Sequence, residues 1–388
     1  MTLPLVTGTV THIAIRIARH RLRAFGVSLP RAGTALSLSP QRARAASPLL
    51  SLLLLLGIGL AAQPASAISC TAQSQIAVPV RTELASAVAR LASYAIAGDT
   101  ASLKASTLAS VAAQFDGIAA TVDSLAPLLK GAELSIQNLY MLHAEDLKAG
   151  EDEAQFFCSV PGSSLLVTIT IPQLPPGGYA LAIVHATGVA KPQQMGMILA
   201  RSPEAKSTAG LLMPGWMLAG FFARPLTIAG HDGVWYWSRA RELAKAQQRW
   251  SAYFYYQSAQ FLLTPVDFLA SPNLAKLDRE AAAVRPDGIP TGDAAGPPTM
   301  TLTAGDENFT INNLRTDGAL GGLDLVVHYN ANAGSVDPVF ARSQAVDLMQ
   351  AMLKQHPELR ANFHGLWVYA DSPGHQSFAV ELPMDQIQ

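Results

Sequence analysis

The hydrophobic period of the chain changes near residue 132, and that change constrains the fold more than any other feature. Between Val80 and Ala97, Leu84, Val88, Leu91 and Ala95 recur at spacings of four, three and four, the apolar stripe of an amphipathic helix. Gly98-Asp99 ends that helix, and Asp99 or Thr100 caps the next. Two further helical stretches, ending near Phe115 and Lys130, carry Val111, Phe115, Ile118, Val122 and Leu125. From residue 133 the period becomes two. Residues 133–143 alternate, with Leu134, Ile136, Tyr140 and Leu142 assigned to one face. Gln155–Val160, Ser164–Ile171, Tyr179–Ala186, Met195–Arg201 and Trp216–Arg224 also read as strands. Pro161-Gly162, Pro175-Pro176-Gly177-Gly178 and Pro214-Gly215 supply turns between them. Helices followed by a run of antiparallel strands predict an α+β domain, with the helices packed on one face of a curved sheet.

This order over residues 70–228, with a last strand opening on Gly215-Trp216, resembles the NTF2-like (SnoaL-like, cystatin-like) superfamily. The resemblance implies a cavity between the helical layer and the concave sheet, where inward polar groups serve as acid and base. On that basis Asp116 or His185 is the candidate base and Tyr94 or Tyr140 the candidate acid, acting on a small apolar substrate as an isomerase or hydrolase. Each has a plainer reading as well. Tyr94 ends an apolar helical stripe, Tyr140 is in strand register with the core face, and Asp116 can simply break a helix before Gly117.

Residues 230–285 return to helical spacing and are rich in aromatics. With Ala252 opening a second helix, Tyr236, Ala240, Leu243, Tyr256 and Ala259 resemble a single TPR-like hairpin, followed by a capping helix at Asn273–Ala283. Arg239 and Pro265 depart from the TPR pattern. One such unit cannot bury its own face, so it is expected to lean on the preceding domain. Residues 286–305, with four prolines, read as an interdomain linker. Residues 306–388 then read as a small ββαββ domain of no recognised family. Its strands are Asn308–Thr316, Leu323–Asn330, Phe363–Ala370 and Gln376–Leu382. Its helix opens at Asp337-Pro338, runs to about Gln355, and turns Phe340, Leu348, Met349 and Met352 inward.

The first 67 residues stand apart. They hold seven arginines and no acid, and the apolar run Leu49–Ala62 leads into Ala65-Ser66-Ala67, the pattern of a signal peptide cut after Ala67. At 1.5 Å per residue the run spans roughly 21 Å, short of the ~30 Å hydrocarbon core, so no stable membrane span is expected after processing. A retained signal anchor is the alternative, and so is a translation start downstream of Met1. Cys70 and Cys158, the two cysteines, predict one disulfide in an exported protein. Ala67-Ile68-Ser69-Cys70 can instead be read as a lipobox, although the usual Leu three residues before the cysteine is missing. The whole resembles exported bacterial proteins of the periplasm or the extracellular space.

After Ala67 the chain carries 20 basic and 28 acidic side chains, which argues against a nucleic-acid partner. No G-x-S-x-G elbow, Walker loop, dinucleotide fingerprint, H-E-x-x-H or paired C-x-x-C occurs, so the well-marked enzyme classes fall away and no cofactor is implied. His231-Asp232-Gly233 resembles a ligand pair, but Asp232 fits better as a helix N-cap. The aromatics Trp235, Tyr236, Trp237, Trp250, Tyr253, Phe254, Tyr255 and Tyr256 read as a helix-packing seam rather than a stacking platform. His328, His364 and His375 are placed on three strands, and a metal site is not expected from them. These readings point to an exported, non-catalytic envelope protein that binds a small apolar ligand or a protein partner, with the cavity enzyme as the alternative.

Overall fold

The computed structural model describes residues 68–159, 166–202, 215–290, 299–319, 321–331, 337–374 and 376–388. The expected signal segment with Ala65 and Ala67, the expected turn at Pro161-Gly162, Pro214 and His375 lie outside them. The protein is a mixed α+β chain with several largely antiparallel sheets. Strand β1 (Ser69–Ala72) passes through a 3-10 turn (Gln73–Gln75) into α1 (Val78–Ala97), α2 (Thr100–Ala105), α3 (Ala109–Ala112) and α4 (Asp116–Leu125). Six strands follow: β2 (Glu133–Ala144), β3 (Glu151–Ser159), β4 (Leu166–Leu174), β5 (Gly177–Thr187), β6 (Gln193–Ser202) and β7 (Gly215–Pro225).

Local chemistry sets the helix ends. Gly98 adopts φ +69° at the end of α1, and the Asp99 side chain accepts a hydrogen bond from Ser102 N at 3.0 Å, capping α2. The single helix expected to end near Phe115 is split in two by the sheet. Leu108 N donates to Leu218 O and Leu218 N donates to Ser106 O, so strand β7 takes the backbone groups that would have continued α2.

The first large sheet has the order β1-β2-β5-β6-β7 and carries a core on each face. On one side Leu84, Val88, Leu91, Leu103, Val122 and Leu129 of the helical layer meet Leu139, Ala182, Val184, Met195, Met197 and Leu218. On the other, Leu142, Leu181, Ile183 and Ile198 meet Ala154, Phe156 and Ile169 of the β3–β4 pair. Strand β5 therefore buries seven residues in succession, Gly178–Val184, and does not alternate. A Cys70–Cys158 disulfide joins β1 to β3 across a Cα–Cα distance of 4.9 Å and ties these two sheets together.

The alternation expected along β2 breaks at a bulge. The register with β5 shifts between Ile136 and Asn138, so Gln137 is an extra residue. One inserted residue exchanges the two faces of everything beyond it. Leu134 and Ile136 pack against the helical core, whereas Tyr140 and Leu142 lie with the opposite one. The assignment of all four to one face is corrected by this bulge.

A two-residue ladder, β8 (Thr227–Ile228) with β9 (His231–Asp232), leads into α5 (Gly233–Lys245), α6 (Arg249–Leu263), β10 (Leu269–Ala270) and α7 (Pro272–Val284). Asp232 accepts from Trp235 N at 2.8 Å, the N-cap its position suggests. The last block runs β11 (Met300–Ala304), β12 (Glu307–Asp317), β13 (Asp324–Asn330), α8 (Pro338–Gln355), α9 (Leu359–Asn362), β14 (Gly365–Asp371) and β15 (Phe378–Pro383). Its five strands follow sequence order, with β13 and β14 parallel and the other pairs antiparallel. The helical crossover between β13 and β14 is what a parallel pair requires.

Three expectations about this half are corrected. Met300–Ala304, placed in the linker, forms β11. His364 precedes β14 rather than lying in a strand. Phe340 is 47% exposed, because the α8 residue that turns inward there is Ala341. The helical segment also does not lean on the preceding sheet alone. Tyr236, Phe254, Tyr255 and Leu277 share one core with Ile311, Val327, Leu348 and Val368, while β10 pairs with β4 and Gln194 Nε2 donates to Leu262 O. Tyr255 Oη donates to Asn362 O at 2.7 Å, and Asn362 Nδ2 donates to Gln248 Oε1 and Ser251 Oγ. The last sheet is thus built onto the helices instead of being tethered beside them.

Candidate functional site

The four acid/base candidates occupy two layers. Asp116 is the first residue of α4 and is exposed, where its charge suits the helix N-terminus. Tyr94, in the last turn of α1, is half-buried against the helical core. Tyr140 packs against the core on the far side of the sheet. His185 lies between Val184 and Ala186, which face the helices, so strand alternation directs it to the far side too. Burial pushes the Tyr140 phenol up and the His185 imidazole down, so both favour their neutral forms. Tyr140 is opposite Leu181, four residues along β5 from His185, a span of roughly 13 Å. The structure brings no two of the four together by a hydrogen bond.

The space between helices and sheet is filled by side chains. Leu84, Val88, Leu91, Ala92, Leu103, Val122 and Leu129 are wholly buried there, as are Ala182, Met195 and Met197. Trp216, from the Gly-Trp pair, is 3% exposed in the same core, with its Nε1 lacking a partner.

A groove opens instead at the rim of this layer. It has a volume of about 510 Å³ and is lined by Gln73, Arg81, Thr82, Ala85, Ser86, Ala89, Ile136 and Leu139. One wall is the exposed side of α1, and the floor is β2. Strand β1 pairs with β2 only over residues 140–143 before the 3-10 turn at Gln73 carries the chain away, so Glu133–Leu139 borders β5 alone within the sheet. Gln73 closes the first free position, its Oε1 accepting from Leu139 N at 3.1 Å, and Arg81 Nη1 donates to Gln73 O at 3.3 Å. The Thr82 and Ser86 hydroxyls bond back to carbonyls of α1. Sequence reasoning missed this site. Its signal is the mismatch between four residues in β1 and twelve in β2, and β1 itself carries no periodicity long enough to recognise.

On the first sheet Thr71 Oγ1 lies 3.1 Å from His143 Nε2, and Glu145 3.7 Å from His143 Nδ1. The last sheet holds a further polar cluster. His328 and His364 do not converge; each pairs through Nδ1 with a carboxylate, His328 with Asp371 at 3.1 Å and His364 with Asp324 at 2.9 Å. The pairs sit at opposite ends of the parallel strands β13 and β14. Asp324 is 1% exposed, and its second oxygen has no partner. Burial alone would raise the Asp371 carboxyl, but hydrogen bonds from His328 and from Ser377 Oγ at 2.6 Å outweigh it and hold the carboxyl below its usual range. The His328 ring stacks on Tyr369, and Tyr369 on Trp367, at centroid distances of 4.6 and 6.1 Å. Ser377 bonds to the carboxylate and not to the imidazole, so this is no nucleophile–base pair. Among the described residues no group of three or more His, Cys, Asp or Glu is placed to hold a metal ion. Among them also, no helix is long and apolar enough to cross a membrane.

The aromatic run of the helices is largely packing. Tyr236 and Phe254 are 1% and 0% exposed, and burial pushes the Tyr236 phenol up. Trp237, Tyr256 and Arg241 converge on Glu280, which the two-pronged Arg241 guanidinium holds below the usual carboxylate range. Trp235 departs from this pattern, being half-exposed and stacked on His231 at 3.6 Å. No protein family, curated protein or solved structure matches this chain.

Proposed function

We propose that this chain is an exported binding protein, built on an NTF2-like domain with a TPR-like hairpin, that recognises a protein partner on its surface. The observation that carries the reading is the filled interface between helices and sheet. An isomerase or hydrolase of the NTF2-like kind needs an acid and a base facing one void, and here Tyr140 and His185 stand roughly 13 Å apart along the sheet while Asp116 is exposed at the start of α4. A small apolar ligand needs the same void. The disulfide fits an oxidising compartment outside the cytoplasm. The strand order of the last block extends the expected ββαββ unit by β11, and its union with the helices offers one continuous scaffold for recognition.

Photo-crosslinking in the native envelope tests this reading. A benzophenone amino acid at single exposed positions such as Ser86, Trp235 and Phe340 is expected to give a discrete protein adduct at some positions and none at others. Absence of adducts at every position, together with turnover of enolisable ketones or epoxides by the purified protein, would overturn it.

A further inference from the structure

We infer that the groove between α1 and β2 binds the C-terminal segment of a partner protein as an added β-strand, lying parallel to β2 with its carboxylate at Arg81. The inference rests on the binding reading above and gives the partner a chemistry. An unpaired stretch of strand presents backbone N–H and C=O groups that an extended peptide can complete, and a flanking helix turns that edge into a groove. Glu133–Leu139 is such a stretch, about seven residues or roughly 23 Å of strand. The α1 wall is low there, because Ala85, Ser86 and Ala89 leave room for alternate side chains of the peptide, and Ile136 supplies an apolar floor.

The orientation follows from what closes the groove. A peptide along Glu133–Leu139 lies in line with β1 and meets the 3-10 turn Gln73–Gln75, so one of its ends must stop there. Antiparallel to β2, that end is an ammonium; parallel, it is a carboxylate. Arg81 stands at this end, half-buried, with one bond to Gln73 O and no ion pair among the described residues. A cation there repels an ammonium and attracts a carboxylate. At the other end Glu133 is exposed and carries the opposite charge, which suits a basic residue seven or so positions earlier in the peptide. The Gln137 bulge shields the edge from indiscriminate pairing, so recognition calls for a sequence that accommodates the bulge.

The test is selection from a display library of random peptides with free C-termini, using the purified full chain. Selected peptides are expected to bind at least tenfold more weakly when amidated. The same loss is expected against Arg81→Gln, with much of the binding kept by Arg81→Lys. Ser86→Trp, an exposed change that fills the groove without touching the core, is expected to abolish binding, and bound peptide should slow hydrogen exchange at Ser135–Asn138. No enrichment, or peptides that ignore both amidation and Arg81→Gln, would overturn the inference. If the groove fails in this way while a crosslinker at Phe340 or Trp235 still traps a partner, the binding reading survives and only its location falls. Loss of those adducts as well removes both.

Discussion

The two five-stranded sheets of this protein solve the burial problem differently. In the first, β5 is covered by helices on one face and by the β3–β4 pair on the other, and its residues are buried in succession. In the second, β14 alternates, with Leu366, Val368 and Ala370 in the core and Trp367, Tyr369 and Asp371 half-buried on the other face. Covering both faces of β5 fills them with apolar side chains, and the polar cluster of the first sheet, Thr71 Oγ1 at 3.1 Å from His143 Nε2 with Glu145 at 3.7 Å from His143 Nδ1, lies at its outer strands β1 and β2. Covering one face leaves the other for ring stacks and the His328–Asp371 pair. The contrast teaches that a resemblance in element order does not carry a cavity with it: what a sheet can do depends on what lies against each face.

The sharpest way to break the contrast is to remove one residue of β2 beyond the bulge, since removing Gln137 itself would leave every side chain of β2 on its present face. Deleting Met141 forces either Leu139 and Tyr140 or Leu142 and Ala144 onto the wrong face, and a stability loss of about 4 kcal/mol or more is expected, as several core side chains are displaced at once. Urea denaturation measures it. A loss near zero would mean that the register is not fixed by burial. Leu181→Ala, which opens a hole between the first sheet and the β3–β4 pair, is expected to cost about 3 kcal/mol by the same measurement. Tyr369→Ala on the open face should cost only about 1 kcal/mol, and equal losses from the two would erase the distinction between the sheets.

Much of this arrangement was legible in the sequence, and the gaps have physical causes. Strands β4 to β7 and helices α1, α5, α6 and α8 follow from sustained periodicity bounded by Gly, Pro and capping Asp. The bulge at Gln137 has no signature, because Gln is unremarkable in a strand and alternation resumes on the opposite face. The placement of Tyr140 was lost at that single residue. Strand β11 is hidden because its five residues follow a proline-rich run and pair only with a strand that comes later. His328 and His364 were visible as histidines in the last block, but their carboxylate partners lie about 40 residues away in sequence and meet them only through the parallel β13–β14 pairing.

Two further effects sharpen the comparison. Reducing the disulfide, or replacing Cys70 and Cys158 with Ser, is expected to destabilise the first sheet and its β3–β4 cover by about 2 to 3 kcal/mol, leaving the last sheet's amide protection largely unchanged. Hydrogen exchange with and without reductant reads both regions at once, and equal loosening of the two would contradict the layering. Acidification has the smallest effect. Burial pushes the imidazoles of His185 and of His356 down, so each binds its proton less readily in the folded chain than in the unfolded one. Their share of stability is complete above the ordinary histidine pKa of about 6.5 and is lost as the pH falls from there through the lower folded-state value. His185→Phe and His356→Phe should each flatten that slope in a urea titration between pH 7 and pH 5. A slope unchanged in both variants would assign the pH dependence elsewhere.

The central claim is that the helix–sheet interior is, among the described residues, a packed core. Turnover assays of the purified protein on enolisable ketones and on epoxides test it most directly. The account expects no rate above the uncatalysed background, and the same null result for Tyr140→Phe and His185→Gln. Catalysis by the unaltered protein that falls a hundredfold or more in either variant, with the fold intact, would contradict it.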